Sequence, residues 1–249
     1  VAEYLGMETI TPLGERRMAE RLEILPMLRG LIAEVNSNRD GAMPVLDLRN
    51  GEHTHEFLKR GDVKALSTRG MASPDHVLRT KGRPLVLKSA DLVSRETIKA
   101  KLEAFADEYG AYFERQSHNA NEPKKQLTAE PKHAWIEGLG VVGISHDAKA
   151  ASAAADLAEQ NIRVRSNGED NGGFYPLNEK DMFDCEYWSL EQAKLGKATR
   201  LPFEGKIVMV TGGAGAIGLA TAKAFAAKGA NIILVDLESE ALDNALGEL

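Results

Sequence analysis

Ile207-Val208-Met209-Val210-Thr211-Gly212-Gly213-Ala214-Gly215-Ala216-Ile217-Gly218 is the stretch on which the reading of this chain turns. Its first four residues are apolar and three of them are β-branched, so a buried strand is expected over Lys206 to Thr211. Gly212 to Gly215 makes a glycine turn, and Ala216 to Lys228 a helix that Gly229 ends. Asn231 to Asp236 reads as a second buried strand, and another helix starts at Ser239. Strand, glycine turn, helix and strand in this order predict a βαβ unit with parallel strands, the truncated start of a doubly wound parallel sheet.

Gly213-Ala214-Gly215-Ala216-Ile217-Gly218 has the spacing G-x-G-x-x-G, which carries little weight alone because small residues are common. Its context gives it weight: it follows a strand, opens a helix, and is followed by an acidic residue, Asp236, eighteen positions beyond Gly218. The turn must be tight, the backbone must approach a pyrophosphate, and the helix must lie against the strand without a side chain at Gly218. Free N–H groups at the helix start then hold the anion, aided by a dipole term of about 0.3–1 kcal/mol. The expected fold is therefore Rossmann, with Gly212, Gly213, Gly215, Ala216, Ile217, Gly218, Asp236 and Leu237 as cofactor-binding residues. Asp236 can accept hydrogen bonds from both hydroxyls of an adenosine ribose and would repel a 2′-phosphate, which favours NAD over NADP. Two plainer readings stay open: a glycine turn that binds no dinucleotide, or another nucleotide, and Asp236 as no more than a helix cap.

On these residues the sequence resembles the short-chain dehydrogenase/reductase family, whose cofactor turn reads Thr-Gly-x-x-x-Gly-x-Gly. Thr211 to Gly218 fits it except that Ala216 stands at a usual Gly, and Phe203-Glu204-Gly205-Lys206 is similar to that family's approach to its first strand. The resemblance implies hydride transfer to or from a carbonyl, with a Tyr-x-x-x-Lys pair and a Ser further along. Thirteen residues follow Asp236 and none of them forms that pair, so no catalytic residue is expected within this chain. The chain is read as an internal fragment, inactive by itself.

The preceding residues have a different texture. Val1 to Val35 reads as helix, with Leu22, Leu25, Leu28, Leu31, Ile32 and Val35 at three- and four-residue steps and Pro26 kinking it. A polar turn over Asn36 to Met43, a strand over Pro44 to Leu48 and a short helix over Glu56 to Leu66 follow. Arg69 to Leu87 reads as irregular and basic. Glu96 to Arg115 is an amphipathic helix with Ile98, Leu102, Phe105, Tyr109 and Tyr112 on one stripe. Ser117 to Lys132 is turn-rich, Ala134 to Ser145 suggests two short strands, and Asp147 to Gln160 an Ala-rich helix. Turns at Asn167-Gly168 and Asn171-Gly172-Gly173, a helix over Asp184 to Leu195 and a linker over Gly196 to Gly205 complete the reading.

Three stretches resemble bifunctional proteins that join a class II aldolase-like region, of the rhamnulose-phosphate aldolase kind, to a short-chain dehydrogenase. They are Thr68 to Lys81 (TRGMASPDHVLRTK), Gly138 to Gly143 (GLGVVG) and Phe183 to Leu195 (FDCEYWSLEQAKL). The boundaries expected are a helical segment 1–39, an aldolase-like α/β domain 40–182, a helical linker 183–204 and the dehydrogenase start 205–249. Class II aldolases bind zinc through a His-x-His pair and a later His in an Asn-His-Gly turn. In this chain Gly138-Leu139-Gly140 resembles that turn with Leu139 in the histidine's place, so zinc is expected only in an aldolase region upstream. The rival ligand pair is His53-Thr54-His55, and a working metal aldolase through it is one alternative.

His76, Arg79 and Lys81 form a basic cluster that could hold a phosphate or a carboxylate of another subunit. Tyr109, Tyr112 and Phe113 read as core, and Cys185 as inert. The formal charge of −6 argues against a nucleic-acid partner, and 43% apolar with 27% charged residues is ordinary globular composition. With one cysteine and no apolar run of membrane-span length, a cytoplasmic protein with no membrane partner is expected. The full-length protein is expected to be a homo-oligomer that acts on a small hydroxy-aldehyde, sugar or alcohol in carbohydrate metabolism. The alternative of another class is a non-catalytic scaffold or oligomerisation module with a nucleotide-binding fold attached.

Overall fold

The structure is a computed structural model that describes residues 15–35, 43–118, 120, 122–189, 201–237 and 239–249. The chain divides into two compact units, one of residues 20–198 and one that holds residues 199–249. The expected helix before residue 15, the turn over 36–42 and the linker residues 190–200 lie outside the described residues.

The larger unit is built on a four-stranded sheet of β1 (Val45–Arg49), β2 (Leu85–Leu87), β3 (His133–Ile136) and β4 (Gly140–Ser145), in the order β1-β4-β3-β2. β4 pairs antiparallel with β1 and β3, and β2 pairs parallel with β3. Alternation along the strands sends side chains to two apolar layers. On one face Ala134, Ile136, Val142 and Ile144 meet Leu28, Leu31 and Ile32 of α1 (Glu15–Val35) and Ile98 and Leu102 of α5 (Arg95–Ser117). On the other, Trp135 and Val141 meet Phe57 of α2 (Glu52–Leu58), Leu66 of α3 (Val63–Thr68) and Ala158 and Ile162 of α6 (Ala148–Asp170). α6 lies so close to β4 that a Cβ on Gly143 would stand 2.2 Å from the Ala151 carbonyl oxygen. The small residues Ala151, Ala154 and Ala155 permit that approach.

Several expectations need correction. The single helix over Glu56 to Leu66 is two helices, α2 and α3, broken at Gly61-Asp62, where Arg60 pairs with both Asp62 and Asp170. The stretch read as irregular contains α4 (Pro74–Thr80) and β2; Pro74 sits in the first turn, where its missing N–H costs nothing. α6 runs ten residues past Gln160 and through Asn167-Gly168, because its far half also has a buried face: Ile162, Arg165 and Ser166. The helix expected from Asp184 starts earlier, as α7 (Glu179–Glu186), with the Asn178 side chain capping it by accepting from the Asp181 N–H at 2.9 Å.

The smaller unit has β5 (Ile207–Thr211), α8 (Ala216–Ala226), β6 (Asn231–Val235) and α9 (Ser239–Gly247). The strands are parallel, with Ile207 beside Asn231 and Thr211 beside Val235. They are not the buried strands expected: Met209 is 64% exposed. Among the described residues β5 and β6 pair only with each other, and alternate residues Ile207, Met209, Ile233 and Val235 remain on an uncovered face.

Candidate functional site

The glycine turn is built by backbone requirements. Gly212 has φ +66°, in the left-handed region that glycine enters without a steric cost. Its carbonyl then accepts from the Gly215 N–H at 3.1 Å, while the Gly213 N–H donates to Val235 O at 3.1 Å and ties the turn to β6. At Gly218 a Cβ would stand 2.0 Å from the Gly212 carbonyl oxygen, so the helix can start this close to the turn only without a side chain there. Leu219 closes a helical bond to Gly215 O at 2.8 Å, and the N–H groups of Ala216, Ile217 and Gly218 precede it as helix-start donors.

Asp236 stands across this turn at the end of β6. Its Oδ2 accepts from the Ala214 N–H at 3.0 Å and its Oδ1 from the Leu237 N–H at 2.8 Å. The carboxylate thus holds the turn in place, and two acceptor oxygens with about four lone-pair sites leave capacity for further donors. Ile217 and Leu237 are 86% and 91% exposed, apolar side chains flanking the turn with nothing covering them. All eight residues that the sequence nominated therefore lie on the turn, the start of α8 and the end of β6.

The larger unit departs from the metal pattern of its resemblance. Leu139 is in the turn between β3 and β4, where Gly138 and Gly140 have φ +82° and +137°, and its side chain packs in the core with Leu31 and Ile32. His53 and His55 lie in α2, two positions apart on a helix, so their rings point about 200° apart around its axis. Among the described residues no group of three His, Cys, Asp or Glu is placed to hold a metal ion. These residues do not fit a zinc site.

The basic cluster is also dispersed. His76 is buried in α4 with Nδ1 2.7 Å from Ser73 Oγ, and burial lowers its pKa; Arg79 is exposed on the same helix. Lys81 also turns inward, at 3% exposure, donating from Nζ to Thr128 O at 2.6 Å and lying 3.2 Å from the centre of the Tyr109 ring. Its backbone, at φ 62° and ψ 176°, is in a region essentially reserved for glycine, a strain of about 1–3 kcal/mol.

Around Lys81 the structure assembles polar groups that no sequence motif announced. Glu186, at the end of α7 and 2% exposed, accepts from Tyr109 Oη at 2.8 Å and Tyr112 Oη at 3.2 Å, and Tyr187 Oη is 2.7 Å from Tyr109 Oη. Burial raises the Glu186 pKa, with the charge of Lys81 working against it. Burial raises both tyrosines as well, so they stay protonated donors. Tyr109 and Tyr112 were legible as a helix stripe, but their partner is about seventy-five positions away.

An α/β/α unit followed by a βαβ unit with a phosphate-type glycine turn defines a two-part α/β protein. Its first part has a family: residues 19–195 match the second domain of class II aldolases, and the chain belongs to that family. Residues 206–249 match the short chain dehydrogenase family, so the chain is an aldolase-like domain fused to the beginning of a dehydrogenase domain. A Bacillus subtilis (strain 168) protein described as uncharacterized oxidoreductase YuxG is 31% identical over 259 residues, covering 99% of this chain and 36% of its own length. Short-chain dehydrogenase reductase 4 of Arabidopsis thaliana is 37% identical over 71 residues, covering 26% of this chain and 24% of its own length. The chain thus spans about a third or less of these relatives. No helix among the described residues is long and apolar enough to cross a membrane.

Proposed function

We propose that this chain belongs to an NAD-dependent oxidoreductase of the short-chain dehydrogenase type, fused to a class II aldolase-like region and acting on a small hydroxy-aldehyde, sugar or alcohol. The observation that carries the cofactor is the Gly212–Gly218 turn, closed so tightly that a Cβ on Gly218 would meet Gly212 O at 2.0 Å, with Asp236 across it. In this reading the helix-start N–H groups of Ala216, Ile217 and Gly218 hold the pyrophosphate. Asp236 accepts from the ribose hydroxyls while it continues to hold Ala214, and Ile217 and Leu237 flank the adenine. Bound nicotinamide would supply or accept the hydride; the Tyr-x-x-x-Lys pair for proton transfer has no counterpart in these 249 residues. The chain's relation to an oxidoreductase of Bacillus supports the class, and the substrate class rests on the resemblance to aldolase–dehydrogenase fusions. We place the protein in the cytoplasm, as a homo-oligomer with a small-molecule substrate and no nucleic-acid partner.

The test is titration of the full-length protein with NAD and NADP. Asp236→Ala should weaken NAD about tenfold or more. Asp236→Asn keeps an acceptor for the Ala214 N–H and loses the charge, so it should shift preference toward NADP with a smaller loss of NAD affinity. Equal NAD affinity in wild type and both variants would remove Asp236 from the site, and no binding of either cofactor would leave the scaffold reading.

A further inference from the structure

The larger unit holds a cavity of about 210 Å³ where α3, α5 and α7 meet the link from Lys81 to Pro84. Tyr109, Tyr112 and Met182 lie on its buried side, and the exposed Thr68 and Glu108 mark its mouth. We propose that this cavity is a binding site for a small neutral molecule built on one aromatic ring, of the size and polarity of phenol. An apolar cavity of about 150 Å³ is enough to take up benzene, so this one has room for a ring and a substituent.

Three observations set the chemistry of the ligand. The first is the nature of the walls. The hydroxyls of Tyr109 and Tyr112 are engaged by Glu186, which does not line the cavity, so these residues present their rings to it. Phe105 adds a third ring and Met182 a thioether, and both kinds of group pack well against the face or edge of an aromatic ring. The second is charge. Arg83 pairs with Glu108 at 3.2 Å and with Glu179 at 3.3 Å, while the ammonium of Lys81, held by Thr128 O and the Tyr109 ring, lies within electrostatic reach of Glu186. A charged ligand would compete with these pairs, whereas a neutral ring leaves them intact. The third is a pair of hydroxyls. Ser67 Oγ donates to Lys64 O at 2.8 Å and Thr68 Oγ1 to Ala65 O at 2.9 Å, and each oxygen keeps lone-pair capacity to accept from a ligand O–H.

Protein interiors leave few voids larger than a water molecule, because atoms that line a void lose their contacts on that side. Costly local structure borders this one. Lys81 stands at φ 62°, the only non-glycine residue with positive φ among the described residues, and leads the chain into Gly82 on the cavity wall. A Cβ at Gly82 would stand 3.2 Å from Met182 Sδ, and one at Gly70 2.7 Å from the same atom, so the thioether is seated against two glycines. Backbone strain persists only where the surroundings fix it, and it gathers at ligand clamps and other functional positions. A packing defect with no ligand is the plainer account of the same cavity, and the two differ in saturable, ring-selective binding.

The inference does not depend on the dinucleotide site, and its test uses the full-length protein. Phenol, cyclohexanol and benzoate are titrated by calorimetry, with and without saturating NAD. Phenol should bind saturably, cyclohexanol and benzoate should each bind several-fold more weakly, and NAD should leave phenol binding unchanged. Thr68→Phe fills the mouth from an exposed position and should weaken phenol about tenfold or more. In the wild type, the ring current of bound phenol should shift the Met182 methyl resonance, assigned by its loss in Met182→Leu, which tests the site even if Thr68→Phe fails to fold. Phenol binding that does not saturate, that NAD displaces, that Thr68→Phe leaves unchanged or that leaves the Met182 methyl unmoved overturns the proposal. Equal affinity for the three compounds overturns its ligand class.

Discussion

β4 and β5 are written in nearly the same letters, Val141-Val142-Gly143-Ile144 and Ile207-Val208-Met209-Val210, and meet different fates. β4 has a strand on each side, α6 against one face and α1 and α5 against the other, and its residues Gly140 to Ile144 are all buried. β5 has one partner strand among the described residues and alternates between half-buried and exposed. An apolar run therefore states that a strand needs cover on both faces; it does not name the elements that supply it.

The sharpest way to break this comparison is to add one methyl group in each region. Gly143→Ala would drive a Cβ into the backbone of α6, a shift that costs about 3 kcal/mol, while Gly218→Ala would drive one into the Gly212 carbonyl and disorder the turn. Both tryptophans, Trp135 and Trp188, lie in residues 20–198, so their fluorescence reports on the larger unit. Urea unfolding followed by tryptophan should shift strongly for Gly143→Ala and little for Gly218→Ala. Equal shifts would show that the two regions unfold as one and erase the contrast.

A second prediction concerns acid. His133 in β3 is fully buried, donates from Nδ1 to Thr80 O at 3.0 Å, and burial pushes its pKa down to about 3. Below the ~6.5 of an unfolded histidine, the unfolded chain binds a proton that the folded chain refuses. Stability present above that pH is thus lost as pH falls toward 3, by up to ~1.4 kcal/mol per unit from this residue. His76 adds in the same direction. Urea midpoints at pH 7, 6 and 5 should fall less steeply in His133→Asn than in wild type; identical slopes would place the acid sensitivity elsewhere. The smallest effect is at the start of α6, where Asp147 Oδ1 accepts from the Ala150 N–H at 2.8 Å. Asp147→Ala should lower stability by about 1 kcal/mol in the tryptophan transition, and a larger loss would mean that α6 nucleates the packing on β4.

Local signals were read well where chemistry and backbone coincide. The Gly212–Gly218 turn, its helix, the β3–β4 hairpin and α5 are all elements whose periodicity or turn residues lie within a few positions of one another. The reading failed where local polarity and tertiary burial disagree. Arg165 has polar neighbours in sequence, yet it is fully buried in α6, donating to the carbonyls of Leu66, Arg69 and Gly70. Those bonds satisfy the ends of the segment before α4 and keep the helix going beyond its apolar half. Ser73-Pro74 is a helix-start pair, and the basic residues around it mask that signal.

The sequence by itself determined the βαβ order, the close glycine turn and a side chain at Leu139 that cannot ligate a metal, because each depends on which atoms a residue has or lacks. Only the tertiary structure decided that Leu139 fills the core, that His76 and Arg79 part from Lys81, and that Lys81 meets Tyr109 beside Glu186. Those meetings join residues far apart in the chain, and burial, which sets their charge and reactivity, is a property of what surrounds a side chain.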